Sequence, residues 1–141
     1  MTIDRDQTVE RLNRRSPGTL VGLLGIEILA AGDGTAQGRL VIRPELLAPN
    51  GYLHAGTVVT LADTLAGYGC WEHLPEGASG FTTAELKSNF LGTARSGELL
   101  CTATLRHAGR STQVWDAEVA TEDGKVIALF RCTQMILYPR G

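Results

Sequence analysis

Apolar and polar residues alternate through most of the second half of the chain. In ELLCTATLRH, residues 98 to 107, Leu99, Cys101, Ala103 and Leu105 fall on one face, with Thr102, Thr104 and Arg106 on the other. That period of two belongs to a strand buried on one side. FTTAELKSNFL (81 to 91), STQVWDAEVAT (111 to 121) and KVIALFRCTQMILY (125 to 138) read as strands too, joined by the short turn segments GTARSG, AGR and EDG. Four consecutive strands with short connections predict an antiparallel sheet with one wet face.

The first half is built differently. Asp4 to Arg15 is polar, with Val9 and Leu12 three apart, and predicts a short amphipathic helix stopped by Ser16-Pro17-Gly18. TLVGLLG (19 to 25) adds one or two helical turns. GIEILAAG (25 to 32) then predicts a strand, AGDG (31 to 34) a tight turn, and TAQGRLVIR a second strand in which Ala36, Gly38, Leu40 and Ile42 alternate. Pro44 and Pro49 bracket a loop. The apolar segment from His54 to about Trp71 is too long for a strand and predicts a helix, which HLPEGASG ends. The order is a helix, two strands, a long apolar helix and four strands. It predicts an α+β domain spanning 1–141, with residues 1–24 as an N-terminal helical segment and an antiparallel sheet wrapped around one helix.

Composition narrows the partners. With 43% hydrophobic residues in 141, the chain can form a sizeable core, and a net charge of −2 without a run of like charges gives no footprint for nucleic acid or an anionic membrane. The charged N-terminus lacks the apolar core of a signal peptide, and no stretch approaches about 18 apolar residues, so a cytoplasmic protein is expected. Cys70, Cys101 and Cys132 lie far apart in apolar or alternating segments and read as buried thiols. Together with His54, His73 and His107 they show no metal-ligand spacing, and no metal is expected.

The long helix carries the candidate chemistry. Ala55, Val58, Val59, Leu61, Ala62, Leu65, Ala66 and Tyr68 leave it almost no wet face, so it must be enclosed on most sides. Gly56, Thr60, Asp63, Thr64 and Gly67 sit three and four apart and share one narrow stripe centred on an acid. A buried carboxylate must be paired, protonated or open to a cleft. At the helix start, backbone N–H groups lack intrahelical partners, and the small residues Ala55 and Gly56 let a ligand oxygen approach them. His54 and Asp63 are nine positions apart, roughly 13 to 14 Å along a helix, too far to meet on one carbonyl within a chain. If both ends serve one reaction, one of them comes from another subunit, and a two-fold dimer supplies two composite sites.

At HAGTVVTLAD the sequence resembles the hotdog-fold acyl-CoA thioesterases of the phenylacetate-degradation and 4-hydroxybenzoyl-CoA thioesterase type, whose motif is His-Gly-Gly, an apolar helix and then Asp or Glu. LNRRSPGTLVGLLGIEIL is similar to the N-terminal helix and first strand of the hydroxybenzoyl-CoA and dihydroxynaphthoyl-CoA enzymes. TTAELKSNFLGTARSG resembles their third strand, and HAGRSTQVWDAEV with EDGKVIALFRCTQMIL their closing hairpin. The resemblance implies a hotdog fold and hydrolysis of acyl-CoA thioesters by a homodimer at minimum, and a homotetramer. Coenzyme A enters as part of the substrate and no separate cofactor is implied. Asp63 becomes the catalytic carboxylate, as nucleophile or general base. The Ala55 N–H polarises the thioester carbonyl bound by the neighbouring subunit, Gly56 keeps the helix start open, and His54 orients the site or contacts the thioester. Thr83 helps position the attacking group, Thr60 and Thr64 border the substrate, and Arg110, Ser111 and Thr112 meet the nucleotide end of coenzyme A.

Two positions depart from the family pattern. Ala55 replaces the usual first glycine, and Ala48 stands where relatives carry Gln or Asn six positions before the histidine, with Asn50 as the nearby substitute. Aromatic or medium-chain acyl groups are the expected substrates. The alternative is an acyl-CoA-binding hotdog module without catalysis. An enoyl-CoA hydratase is disfavoured by the separation of His54 from Asp63, a serine hydrolase by the lack of a G-x-S-x-G elbow, and a cysteine nucleophile by the lack of a base beside any thiol.

Overall fold

The sequence pattern translates into six strands and three helices in the computed structural model, which describes residues 5–141. Helix α1 runs Arg5–Asn13, so Asp4, the expected first residue, lies outside the described residues. Helix α2 is Leu20–Leu24, ended by Gly25 at φ 74°, a left-handed conformation suited to glycine. Strands β1 (Glu27–Gly32) and β2 (Thr35–Val41) follow, joined through Asp33 and Gly34, both at positive φ as a two-residue hairpin turn requires. A 3-10 turn, Pro44–Leu46, leads into helix α3, Ala55–Glu72. Strands β3 (Gly80–Phe90), β4 (Glu98–Ala108), β5 (Thr112–Thr121) and β6 (Val126–Leu137) complete the chain.

All pairings are antiparallel, and the sheet order is β1-β2-β4-β5-β6-β3. The sheet curls around α3, which touches every strand. Leu61, Leu65, Ala66 and Cys70 of the helix are fully buried against Ala36, Leu40, Leu99, Cys101, Trp115 and Val119 of the sheet. Contact is closest where side chains are missing. A Cβ at Gly69 would lie 2.6 Å from Cη2 of the buried Trp115, so glycine there lets the indole lie against the helix backbone.

The far end of α3 is fastened by a polar network. The His73 imidazole donates from Nδ1 to Gly69 O at 2.6 Å, and its Nε2 accepts the Gly34 N–H at 2.7 Å. Gln113 donates to His73 O at 2.8 Å and accepts from Trp115 Nε1 at 2.8 Å. The β1–β2 hairpin and β5 are thereby tied to one helix terminus.

The two sheet edges are treated differently. Beside β1, the Asn13 side chain accepts from Ile28 N at 2.8 Å and donates to Ile28 O at 3.0 Å, standing in for a further strand. On the far side of β3 no strand of the described chain pairs. β3 also carries a bulge between Thr83 and Glu85, where Ala84 has no partner on β6. The extra residue changes which side chains face inward. Phe81 and Thr83 point to the helix side before the bulge and Leu86, Ser88 and Phe90 after it, opposite Cys132, Phe130 and Ala128.

Candidate active site

Asp63 lies on the side of α3 that meets the open edge of the sheet. Its carboxylate is half-buried, and Thr83 Oγ1 on β3 stands 3.3 Å from Asp63 Oδ1. No cation pairs with it among the described residues. Burial pushes the Asp63 pKa above the usual carboxylate range, and the Thr83 hydroxyl draws it partly back. Of the three possibilities open to a buried acid, Asp63 therefore combines a hydrogen bond with partial exposure. Thr60 and Thr64 flank it, both half-buried; Thr60 Oγ1 donates to Gly56 O at 2.8 Å within the helix. The stripe stops sooner than expected, because Gly67 is buried under Phe81, whose Cζ lies 3.3 Å from where a Cβ would be.

The start of α3 is the second centre. His54 is the N-cap: Gly56 N–H donates to His54 Nδ1 at 2.7 Å, which fixes Nδ1 as an acceptor. A Cβ at Gly56 would lie 2.9 Å from that nitrogen, so the space glycine leaves is filled by the imidazole rather than left open for a ligand. Among the described residues the Ala55 N–H has no acceptor, and Ala55 is exposed; neither the cap nor the helix uses this donor. Thr57 anchors the turn from below by donating to Leu46 O at 2.8 Å.

A concavity of about 500 Å³ opens beside this terminus, lined by Ala48, Asn50, Tyr52, His54, Ala55 and Thr93. Asn50 Oδ1 accepts the Tyr52 N–H at 3.1 Å, so its carbonyl is spent on the turn, while Ala48 engages through its backbone alone, to Tyr52 O and Gly51 N. The Arg95 guanidinium stacks over Tyr52 at 4.2 Å. Asp63 does not line this concavity. The two centres are separate within one chain, about 12 Å apart along the helix.

Arg110, Ser111 and Thr112 form the β4–β5 turn. Gly109 N–H donates to Thr112 O at 2.8 Å, Ile136 N–H donates to Ser111 O at 2.9 Å, and the Tyr138 hydroxyl donates to Arg110 O. The Arg110 guanidinium is exposed, 5.7 Å from the centre of the Tyr138 ring. This turn and Thr83 lie on different strands separated by β6, and the structure does not bring them into contact.

Gln134 was absent from the sequence reading. Fully buried on β6, it sits directly opposite Thr83 with Oε1 2.9 Å from Thr83 Oγ1 and Nε2 3.4 Å from Cys132 Sγ. Its sequence signal was available: a glutamine at an inward position of a strand whose other inward residues, Phe130, Cys132 and Ile136, are apolar. All three cysteines are buried and free, and desolvation pushes their thiols up to about 12. Among the described residues no group of three His, Cys, Asp or Glu could hold a metal ion, and no helix is long and apolar enough to cross a membrane.

Comparison with known proteins places the chain in a family. The family model of the thioesterase superfamily matches residues 50–128, from the turn before α3 into β6. The chain is 32% identical over 136 residues to the 1,4-dihydroxy-2-naphthoyl-CoA hydrolase of Escherichia coli strain K12, covering 94% of this chain and 97% of that protein. It is 34% identical over 109 residues to the acyl-coenzyme A thioesterase PaaI of the same organism, covering 77% and 75%. In structure it resembles a mutant of thioesterase PA1618 from Pseudomonas aeruginosa, with a TM-score of 0.88 at 29% identity over 97% of this chain and 96% of that one.

Proposed function

The chain belongs to the thioesterase superfamily and is a hotdog-fold thioester hydrolase, and on that premise we propose that it hydrolyses acyl-CoA thioesters at composite sites shared between two subunits. Each site combines the Asp63 carboxylate of one subunit with the α3 N-terminus of the other. The observation that carries this reading is the pairing of a half-buried Asp63, without a cation partner among the described residues, with Thr83 at an open sheet edge, while the Ala55 N–H, without an acceptor among the described residues, lies at the start of the same helix.

The chemistry needs few parts. The thioester carbonyl oxygen accepts a hydrogen bond from Ala55 N–H at the positive end of the helix dipole, where negative charge is stabilised as it develops. Asp63 then acts in one of two ways. As a nucleophile its oxygen adds to the carbonyl carbon, coenzyme A thiolate leaves, and water opens the resulting anhydride; as a general base it takes a proton from a water that adds directly. Both routes release free acid and coenzyme A. His54 serves by capping the helix that presents Ala55, and Gly56 by making room for that cap.

The acyl group we propose is aromatic or medium-chain, supported by the relative named for a naphthoyl-CoA substrate and by the concavity beside Ala48 and Asn50. Arg110, Ser111 and Thr112 are proposed contacts for the nucleotide end of coenzyme A, supported by the exposed Arg110 and Ser111 and the half-buried Thr112 of that turn. A dimer built on β3 is the assembly the reading requires. The exposed Leu100, Leu129 and Met135 of the outer sheet face support a pairing of dimers into a tetramer.

Assay of coenzyme A release from a panel of aryl-CoA and fatty acyl-CoA thioesters tests the proposal. Asp63→Asn is expected to lose about 10³-fold or more in kcat while remaining folded; activity within tenfold of wild type contradicts it. Single turnover in labelled water separates the two routes, since only the anhydride route leaves label in Asp63.

A further inference from the structure

Thr83 has one proton and two acceptors within reach, Asp63 Oδ1 at 3.3 Å and Gln134 Oε1 at 2.9 Å, so it cannot serve both. With Gln134 Oε1 facing Thr83 and Nε2 facing Cys132 Sγ the Thr83 proton is contested, and a half-turn of the carboxamide would resolve the competition. A half-turn about its last bond exchanges nitrogen and oxygen with almost no change of shape. The NH2 group then donates to Thr83 Oγ1, and the oxygen turns to the Cys132 sulfur, 3.4 Å from the other end of the amide. The hydrogens then run in one direction along the chain: Cys132 S–H to the Gln134 oxygen, one Gln134 N–H to the Thr83 oxygen, and Thr83 O–H to the Asp63 carboxylate. In the opposite orientation Gln134 takes the Thr83 proton and Asp63 is left without a donor.

We infer that Gln134 is a positioning residue for the reaction, whose buried carboxamide sets the direction of the Thr83 hydroxyl and so holds Asp63 ionised and oriented. The inference rests on Asp63 being the working carboxylate. Gln134 itself is fully buried behind Thr83 and acts only through it.

The surroundings of Asp63 leave this chain little competition. On β6 the facing titratable group is the Cys132 thiol, on α3 it is Cys70, and on β4 Cys101, all kept protonated by burial. Glu85 on β3 is turned to the outer face, where it accepts from Thr133 at 2.7 Å. The inward positions of β1, β2 and β5 hold Ile28, Ala36, Leu40, Gln113, Trp115 and Val119, and α2 has no ionisable side chain. Hydrogen bonding to the carboxylate favours its charged form, so loss of the Thr83 donor raises the pH at which Asp63 becomes active.

The test compares pH profiles of kcat/KM for wild type, Gln134→Met, Thr83→Val and the double variant on a single thioester, with Asp63→Asn as control. Gln134→Met takes away the N–H that polarises and aims the Thr83 hydroxyl, and it is expected to move the acid limb upward by a few tenths of a unit, to lower kcat and to leave KM unchanged; a limb that moves downward, the result of a Gln134 that only competes for the Thr83 proton, overturns the inference. In the Thr83→Val background the same substitution should add nothing. Gln134→Asn keeps the amide but withdraws it by one methylene; it should reproduce the shift, and it serves in place of Gln134→Met if the latter does not fold. An acid limb that stays at its wild-type position in the folded Gln134 variant, or one that shifts equally without the Thr83 hydroxyl, overturns the inference. An active Asp63→Asn contradicts instead the reading of the site on which the inference rests.

Discussion

Asp63 is held between opposing influences, because burial disfavours its charge and the Thr83 hydroxyl favours it, with burial the stronger. Its pKa in the folded protein therefore stands above its unfolded value, and the folded state binds more protons between the two. Stability associated with this group is then greatest below the unfolded pKa and falls as pH rises through the folded one. Asp63→Asn removes the charge without changing shape, so at neutral pH it is expected to melt at or above the wild-type temperature, with the difference fading in acid. Thermal unfolding from about pH 3 to about pH 8 measures this. An acid that destabilises its own fold is the usual consequence of placing a carboxylate where water cannot fully solvate it, and the proposed catalytic role gives Asp63 a reason to be there. The other half-site allows an equally narrow change. Ala55 is the first residue of α3, and His54 before it has φ −68° and ψ 134°, which a following proline accepts. Ala55→Pro removes one N–H at the helix position where proline is best tolerated. It is expected to keep the circular dichroism of wild type and lose about 10²-fold in kcat.

At the scale of the element, close contact between α3 and the sheet decides what the helix tolerates. Gly69→Ala would drive a methyl group into the Trp115 ring, which is fully buried and hydrogen-bonded to Gln113, so neither side can yield easily. A loss of about 1–3 kcal/mol in unfolding free energy is expected from denaturant titration. Most of these elements were legible in the sequence. β2, β4, β5 and β6 announce themselves by alternation because one face packs on α3 and the other meets water. α3 announces itself by being apolar all round. β3 was found as a strand, but its facing was not: the bulge at Ala84 breaks the alternation, and the inward Leu86 and Phe90 have no helix of their own chain over them. The site was legible in part for a similar reason. Asp63 stands out as an acid in an apolar helix, and Thr83 followed from the resemblance. Gln134 did not, although it is in phase with Phe130, Cys132 and Ile136, because a lone polar residue in a strand does not by itself reveal its partner across the register. His54 at the start of the apolar helix already reads as a cap or packing residue, but which backbone N–H its imidazole accepts is visible only in the structure.

At the scale of the molecule, the two edges of the sheet differ, and the proposed dimer rests on that difference. Beside β1, Asn13 bonds both backbone groups of Ile28, whereas the outer edge of the eleven-residue β3 has no strand partner among the described residues, with Leu86 and Phe90 41% and 47% exposed on the helix side. Long apolar edges of this kind pair with another chain. A two-fold pairing of β3 strands would bring the partner's α3 N-terminus towards Asp63 and cover these side chains. Leu86→Lys is expected to shift the protein towards monomer in sedimentation and to reduce activity in parallel, with the loss relieved at high protein concentration. Complementation between two inactive variants tests the shared site most directly. Asp63→Asn and Ala55→Pro subunits are mixed in equal amounts and allowed to exchange, and hybrid dimers are counted by native mass spectrometry. In each hybrid one site combines an intact Asp63 with an intact Ala55 from the other chain, so activity should return to about a quarter of the wild-type value. Hybrid dimers that form in full and remain as inactive as either parent would contradict a site built from two subunits.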